Sequence, residues 1–235
     1  MAFFARAPKN YPFSFGKPLR LTFKRPAGIL CLSEGNLLQF SGDALVTSTS
    51  KNLEGIQRSD WWGFRGRVAA DASLHSKCGP SLLQACRRQK QTLPYGSVLV
   101  TEPAGPLEVK FILHTAVPSN PASRDPASMP ADVGERFNAN EMSVQAAESF
   151  LELSFQSVLS TAANLECRSV CLPSIGSGCR GWPPDVSARI GVGVLAEQDR
   201  QVPELIEIRC LERHVLQTWH RECLRHGLEE HPEML

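Results

Sequence analysis

The sequence predicts a three-layer α/β/α fold, with helices covering both faces of a mixed, mostly parallel central sheet. Three observations carry this expectation. Short β-type runs alternate with amphipathic helical stretches along the chain, the pattern of parallel strands joined by crossover helices. The strand runs at Ala44–Val46 and Val170–Leu172 are short and wholly apolar, as strands covered on both faces are. Between Ser169 and Leu195 one such run passes through a loop with glycines at 176, 178 and 181 and enters a helical pattern beyond Pro183–Pro184. A chain of 235 residues, 42% of them hydrophobic, is long enough to bury the core that this fold needs.

Strands are predicted at 19–23, 29–33, 43–47, 97–102, 109–116, 168–172 and 204–210. The first, LRLTF, alternates Leu19, Leu21 and Phe23 with polar residues, and the third follows a Gly42–Asp43 turn. Helices are predicted at 68–78, 80–90, 143–164, 185–196 and 212–227. Gly79–Pro80 separates the first two. In the last, Val215, Leu216, Trp219, Cys223 and Leu224 fall at i, i+3, i+4 spacing, a core-packing stripe. His114 sits in an apolar strand and reads as a core histidine. Residues 1–17 are expected to form an N-terminal extension and 18–235 one domain, interrupted by insertions at 55–66 and 118–140. The first insertion holds Trp61-Trp62-Gly63-Phe64. The second is rich in Pro, Ala, Ser and Asp and reads as a long surface loop.

Composition narrows the function classes. A net charge of +1 argues against a basic grip on nucleic acid. No apolar run approaches the roughly 20 residues of a membrane span. Eight cysteines, at 31, 78, 86, 167, 171, 179, 210 and 223, include no CxxC pair and read as free thiols of a reducing compartment. An intracellular protein, cytoplasmic or nuclear, is therefore expected, as a monomer. No acidic residue precedes Glu34, whereas Arg6, Lys9, Lys17, Arg20, Lys24 and Arg25 are basic. An organelle-targeting leader has this bias, but a strand at 19–23 leaves only a short, serine-poor stretch for one. No His/Cys/carboxylate set has ligand spacing, so neither a metal nor another cofactor is expected.

The glycine-rich turn exposes backbone N–H groups and lets a ligand approach the main chain, and phosphate is the usual guest of such a turn. A second segment, far upstream, ends a short strand in the small residues Thr47–Ser50, as a crevice site at a strand's C-terminal end requires. Five segments in order, GNL at Gly35–Leu37, DALVTSTS at Asp43–Ser50, AADASLHSKCGP at Ala69–Pro80, ILHTAVP at Ile112–Pro118 and LPSIGSGCRGWP at Leu172–Pro183, together resemble the macro domain family, the ADP-ribose-binding α/β fold.

That resemblance implies a site. Asn36 stands where the family has an aspartate that accepts from the adenine amino group, with Leu37 beside it, and Thr49 and Ser50 would line the crevice. Ser174, Gly176, Ser177, Gly178, Cys179 and Arg180 would form the loop around the diphosphate and distal ribose, with backbone N–H groups of 176–180 as donors. Arg180 replaces the family's usual aromatic residue, to pair with a phosphate or to face solvent. For hydrolysis the candidates are Asp71, on the family's aspartate, and Ser50, which replaces its asparagine. A serine reaches less far than an asparagine and offers no amide donors. Asp71 also reads as a first-turn helix aspartate, and His75 as structural. Trp61, Trp62 and Phe64 read as a lid that stacks on adenine or ribose, or as a local hydrophobic cluster.

Three functions are open at this point. The chain binds ADP-ribose or a mono-ADP-ribosylated protein in a crevice at the C-terminal ends of the strands. Or it hydrolyses an ADP-ribosyl bond or an ADP-ribose derivative through Asp71. Or it is a degenerate macro fold used for protein contacts.

Overall fold

Strand residues two apart share a face, and here the two faces differ in chemistry. The computed structural model describes residues 19–53, 70–89, 92–122, 142–197 and 203–231. Seven strands form one sheet: β1 (Arg20–Arg25), β2 (Gly28–Glu34), β3 (Ser41–Thr49), β4 (Val98–Thr101), β5 (Glu108–Ala116), β6 (Ser169–Leu172) and β7 (Leu205–Cys210). Their spatial order is β1-β2-β7-β6-β3-β5-β4. The β1–β2 and β4–β5 pairs at the two edges are antiparallel and the four inner pairings are parallel, which is the mixed, mostly parallel sheet expected.

Helices α3 (Val144–Asn164), α4 (Pro184–Ala196) and α5 (Arg213–Arg225) cover one face. Phe23, Leu30, Leu32, Val46, Leu113, Val170, Ile206 and Ile208 pack there against Phe155, Val192 and Trp219. Helices α1 (Ala70–Cys78) and α2 (Pro80–Gln89) cover the other, where Leu45, Ile112 and Cys171 meet Leu74, Leu82 and Cys86. Ser143 caps α3 by accepting from the amide of Ala146 at 3.1 Å. At the N-terminal end of the sheet, the Asp43 carboxylate fixes the central β3–β6 contact. It accepts from the amides of Arg168 (2.7 Å) and Ser169 (3.0 Å) and pairs with Lys110 at 2.7 Å.

His114, on β5, is the core histidine that the sequence implies. It is 1% exposed, and its Nε2 lies 2.9 Å from Thr101 Oγ1. Burial, with a contribution from His75, pushes its pKa from 6.5 down to about 3. The unfolded chain binds a proton on this ring below pH 6.5 and the folded chain does not until about pH 3. Protonation in that window favours the unfolded state, so stability falls as pH falls. At 1.36 kcal/mol per pH unit, this group alone costs about 2 kcal/mol by pH 5. Asp71 works the other way, because burial raises its pKa above 3.8 and the folded chain takes up its proton first. Urea denaturation at pH 7.5 and pH 5 isolates the histidine: the wild type is expected to lose about 2 kcal/mol more than a His114→Gln protein. Equal losses would exclude the histidine as the cause.

The structure revises one boundary. Pro118, Ser119 and Asn120 are buried, so the start of the predicted surface loop belongs to the interior. The reason is polar pairing: the Pro118 carbonyl accepts from Trp182 Nε1 at 2.8 Å, and Asn120 bonds to the Arg180 and Gly181 carbonyls at 2.8 and 3.2 Å. Residues 123–140 of that stretch, the lid candidates Trp61, Trp62 and Phe64, and residues 1–17 lie outside the described residues.

Candidate functional site

The parallel strands β2, β3, β6 and β7 all end on one side of the sheet. The loops that follow them carry most of the site residues expected from the sequence.

The period-two alternation of β3 points Thr47 and Thr49 the same way, toward the first turn of α1. There Thr47 Oγ1 donates to Asp71 Oδ1 and Thr49 Oγ1 to Asp71 Oδ2, each at 3.2 Å. His75, one turn along, places Nε2 3.8 Å from Oδ1. Asp71 is 4% exposed. Burial raises its pKa, while the charges of His75 and Arg180 and the two threonine hydroxyls oppose the shift. Asp71 is thus the first-turn helix aspartate of one reading and sits beside the crevice strand as the other requires. Ser50 follows β3, half-buried, and its carbonyl accepts from the amide of Leu53 at 3.1 Å. Leu53, buried at 1% exposure, holds a left-handed φ of 58°, a conformation an L residue adopts only at an energetic cost.

The glycine loop after β6 is anchored beneath and open above. Gly176 has φ +83° and a Cβ there would lie 2.8 Å from Trp182 Cδ1, so backbone and packing both demand glycine. Gly178 is exposed, and a Cβ on it would meet nothing within 4 Å. Ser174 is committed to the core. Its Oγ accepts from Trp219 Nε1 at 3.0 Å and donates to Ser187 Oγ, which in turn donates to the Ile175 carbonyl at 2.7 Å. Ser177 Oγ donates to the Ser174 carbonyl, tightening the turn. Among the described residues, no hydrogen bond uses the amides of Gly178 and Arg180. Cys179, between them, is half-buried, whereas the other seven cysteines are buried.

Arg180 faces inward. It is 6% exposed, its Nε has no hydrogen-bond partner among the described residues, and its charge acts on Asp71. The solvent-facing alternative for this arginine is thereby excluded.

Asn36 begins the short 3-10 turn Leu37–Gln39 that the sequence did not predict. Its Oδ1 accepts from the amide of Leu38 at 3.0 Å. Leu37 is buried under it at 8% exposure. The turn is held from β7, where Arg209 donates through Nη1 to the Asn36 carbonyl at 3.3 Å. Arg209 pairs with the buried Glu207 at 2.6 Å and lies 5.7 Å from the Phe40 ring centroid. Sequence reading missed Arg209 and Glu207. The signal was there: two charged residues on alternate positions of an otherwise apolar strand must share one face. It also assigned no role to Trp182, the aromatic that seats the glycine loop.

Among the described residues, no group of three or more His, Cys, Asp or Glu side chains is placed to hold a metal ion. No helix among them is long and apolar enough to cross a membrane.

Comparison with known proteins agrees with this architecture. The Macro domain family model matches residues 63–129 and 136–191. The chain is 26% identical over 181 residues to a macro domain-containing protein of Streptomyces coelicolor, covering 75% of this chain and 88% of that protein. It is 26% identical over 199 residues to the O-acetyl-ADP-ribose deacetylase of Salmonella gallinarum, covering 83% and 93%. Among solved structures it is similar to the Oceanobacillus iheyensis macrodomain with ADP, at TM-score 0.71 and 18% identity over 89% of this chain and 97% of that one. It is also similar to the Trypanosoma brucei macrodomain in complex with ADP-ribose, at TM-score 0.61 and 20% identity over 83% and 68%.

Proposed function

The chain belongs to the macro domain family, and from that premise we propose that it binds ADP-ribose, free or attached to a protein, in the crevice at the C-terminal ends of its central strands. The observation that carries this reading is the Ser174–Gly181 loop. It is seated on Trp182 and Trp219, it is open at Gly178, and the Gly178 and Arg180 amides are not spent on any described residue. Such a loop offers donors to a diphosphate at no cost in internal bonds. In this reading Asn36 and Leu37 meet the base, Thr49 and Ser50 line the wall, and Arg180 supplies positive charge at the distal end. Calorimetric titration of the full chain with ADP-ribose tests it. Micromolar or tighter binding is expected; no heat and no thermal shift would turn attention to protein contacts as the function.

Hydrolysis is the second reading, and the deacetylase relatives favour it. Asp71 is its residue, and the oxygens that would position a water each already hold a threonine hydroxyl. We therefore expect an Asp71→Ala protein to keep ADP-ribose affinity within about threefold, about 0.7 kcal/mol. Wild-type turnover of O-acetyl-ADP-ribose or of a mono-ADP-ribosylated protein, abolished in that variant, would establish the enzyme instead.

A further inference from the structure

We propose that Asn120 is a positioning residue for the glycine loop: its clasp on the Arg180 and Gly181 carbonyls holds the loop in the one arrangement that can take an anion. The inference rests on the reading above, in which the loop donates to a diphosphate, and deepens it by naming the residue outside the loop that sets the donors.

Asn120 belongs to the segment after β5, far from the loop in sequence, and it is 7% exposed. Its backbone amide donates to the Arg180 carbonyl at 2.8 Å, and its Nδ2 donates to the Gly181 carbonyl at 3.2 Å. Its Oδ1 accepts from the Ala122 amide at 3.0 Å. One side-chain contact needs a donor and the other an acceptor, so a single orientation of the amide serves both. The same segment is tied to the end of the loop at Pro118, whose carbonyl accepts from Trp182 Nε1 at 2.8 Å.

The consequence lies in the peptide planes. The Arg180 carbonyl and the Gly181 amide form one peptide group. Its carbonyl goes to Asn120 and its N–H to the Gly178 carbonyl at 3.1 Å. The Gly181 carbonyl and the Trp182 amide form the next. Its carbonyl goes to Asn120 and its N–H to the Gly176 carbonyl at 3.1 Å. Both groups are held at both ends, while the Gly178 and Arg180 amides stay unspent among the described residues. Gly181 has φ +71°, and a glycine there has wide freedom to turn once a pin is lost. A carbonyl swung to the open side would set an oxygen against the oxygens of a phosphate. One hydrogen bond of ordinary net strength shifts such an equilibrium about fivefold, and apparent affinity falls with the fraction of loops left competent.

The test compares the full-length wild type with an Asn120→Ala protein by calorimetry with ADP-ribose, by thermal melts and by the amide resonances of Gly178, Arg180 and Gly181. An Asn120→Asp protein, isosteric with the wild type, keeps the acceptor for Ala122 and lacks only the donor. It takes the place of the alanine protein if that one does not melt cooperatively. The variant is expected to bind about fivefold more weakly. Its loop resonances are expected to shift or broaden in the free protein and to return to the wild-type bound positions at saturation. A loss below about threefold overturns the inference alone. So does a weaker affinity with free-state loop resonances unchanged, since the residue then acts by some route other than the loop. A wild type that binds no ADP-ribose, or binds it without moving these amides, overturns the reading of the loop, and this inference with it.

Discussion

A Gly178→Glu protein is expected to fold with wild-type stability and to lose ADP-ribose affinity by at least about 100-fold, close to 2.7 kcal/mol. The stability half follows from geometry. A Cβ on Gly178 meets no atom within 4 Å, and its φ lies outside the left-handed range that would strain a side chain. The affinity half follows from charge. The glutamate would place a carboxylate among amides offered to a diphosphate, and two anions brought together in a partly desolvated crevice repel by several kcal/mol. Gly176 gives the contrast. With φ +83° and Trp182 Cδ1 at 2.8 Å from a would-be Cβ, even alanine there damages the fold. Calorimetry and thermal melts on both proteins separate the two effects. A Gly178→Glu protein that binds normally would remove the loop from the site.

Arg209→Met is expected to cost about 3–5 kcal/mol of stability, a large share of the roughly 5–15 kcal/mol that holds a typical domain together. Glu207 is 2% exposed, and its carboxylate is served by Arg209 at 2.6 Å and by the Ser33 hydroxyl at 2.5 Å. Without the guanidinium, a buried anion keeps a single neutral partner among the described residues. Removing both charges, in a Glu207→Leu/Arg209→Met protein, is expected to restore most of the loss, because a buried ion pair gains little over well-packed apolar residues. Urea denaturation of the three proteins checks this. A loss below about 1 kcal/mol in the single variant would mean that the carboxylate finds water.

The frame of the fold was legible because its signals are local. Val170–Leu172, Ala44–Val46 and the Trp219 stripe of α5 each announce an element through a few neighbouring residues, and the observed ends fall within a few positions of those expected. The glycine loop was legible for the same reason. What the sequence did not reveal are relations between distant residues. Nothing adjacent to Asp71 says that Thr47 and Thr49 will each take one of its oxygens, although their spacing along β3 sets them on one face. Nothing near Trp182 points to the Pro118 carbonyl as its acceptor. Arg180 was expected to meet a phosphate or solvent, and its burial within reach of the Asp71 charge depends on how the glycine loop and the first turn of α1, far apart in sequence, come together. Asn36 reads as a ligand contact or as a plain turn asparagine, and its oxygen does serve the turn through Leu38; what no neighbouring residue tells is that Arg209 tethers that turn from β7.

The strand order also dictates when the molecule becomes complete. β2 forms a hairpin with β1 at the start of the chain, yet its other neighbour in the sheet is β7, with Ile29 opposite Leu205. Between synthesis of the two, β2 exposes an unpaired edge whose apolar residues Leu30 and Leu32 await helices not yet made. Closing so long a loop carries an entropic cost that is repaid only when β7 docks. The turn at Asn36 gains its Arg209 tether in that same event. A ribosome-bound chain that has emerged only as far as the glycine loop therefore holds half a crevice. Ligand binding should appear abruptly with the last strand, as one late step of folding.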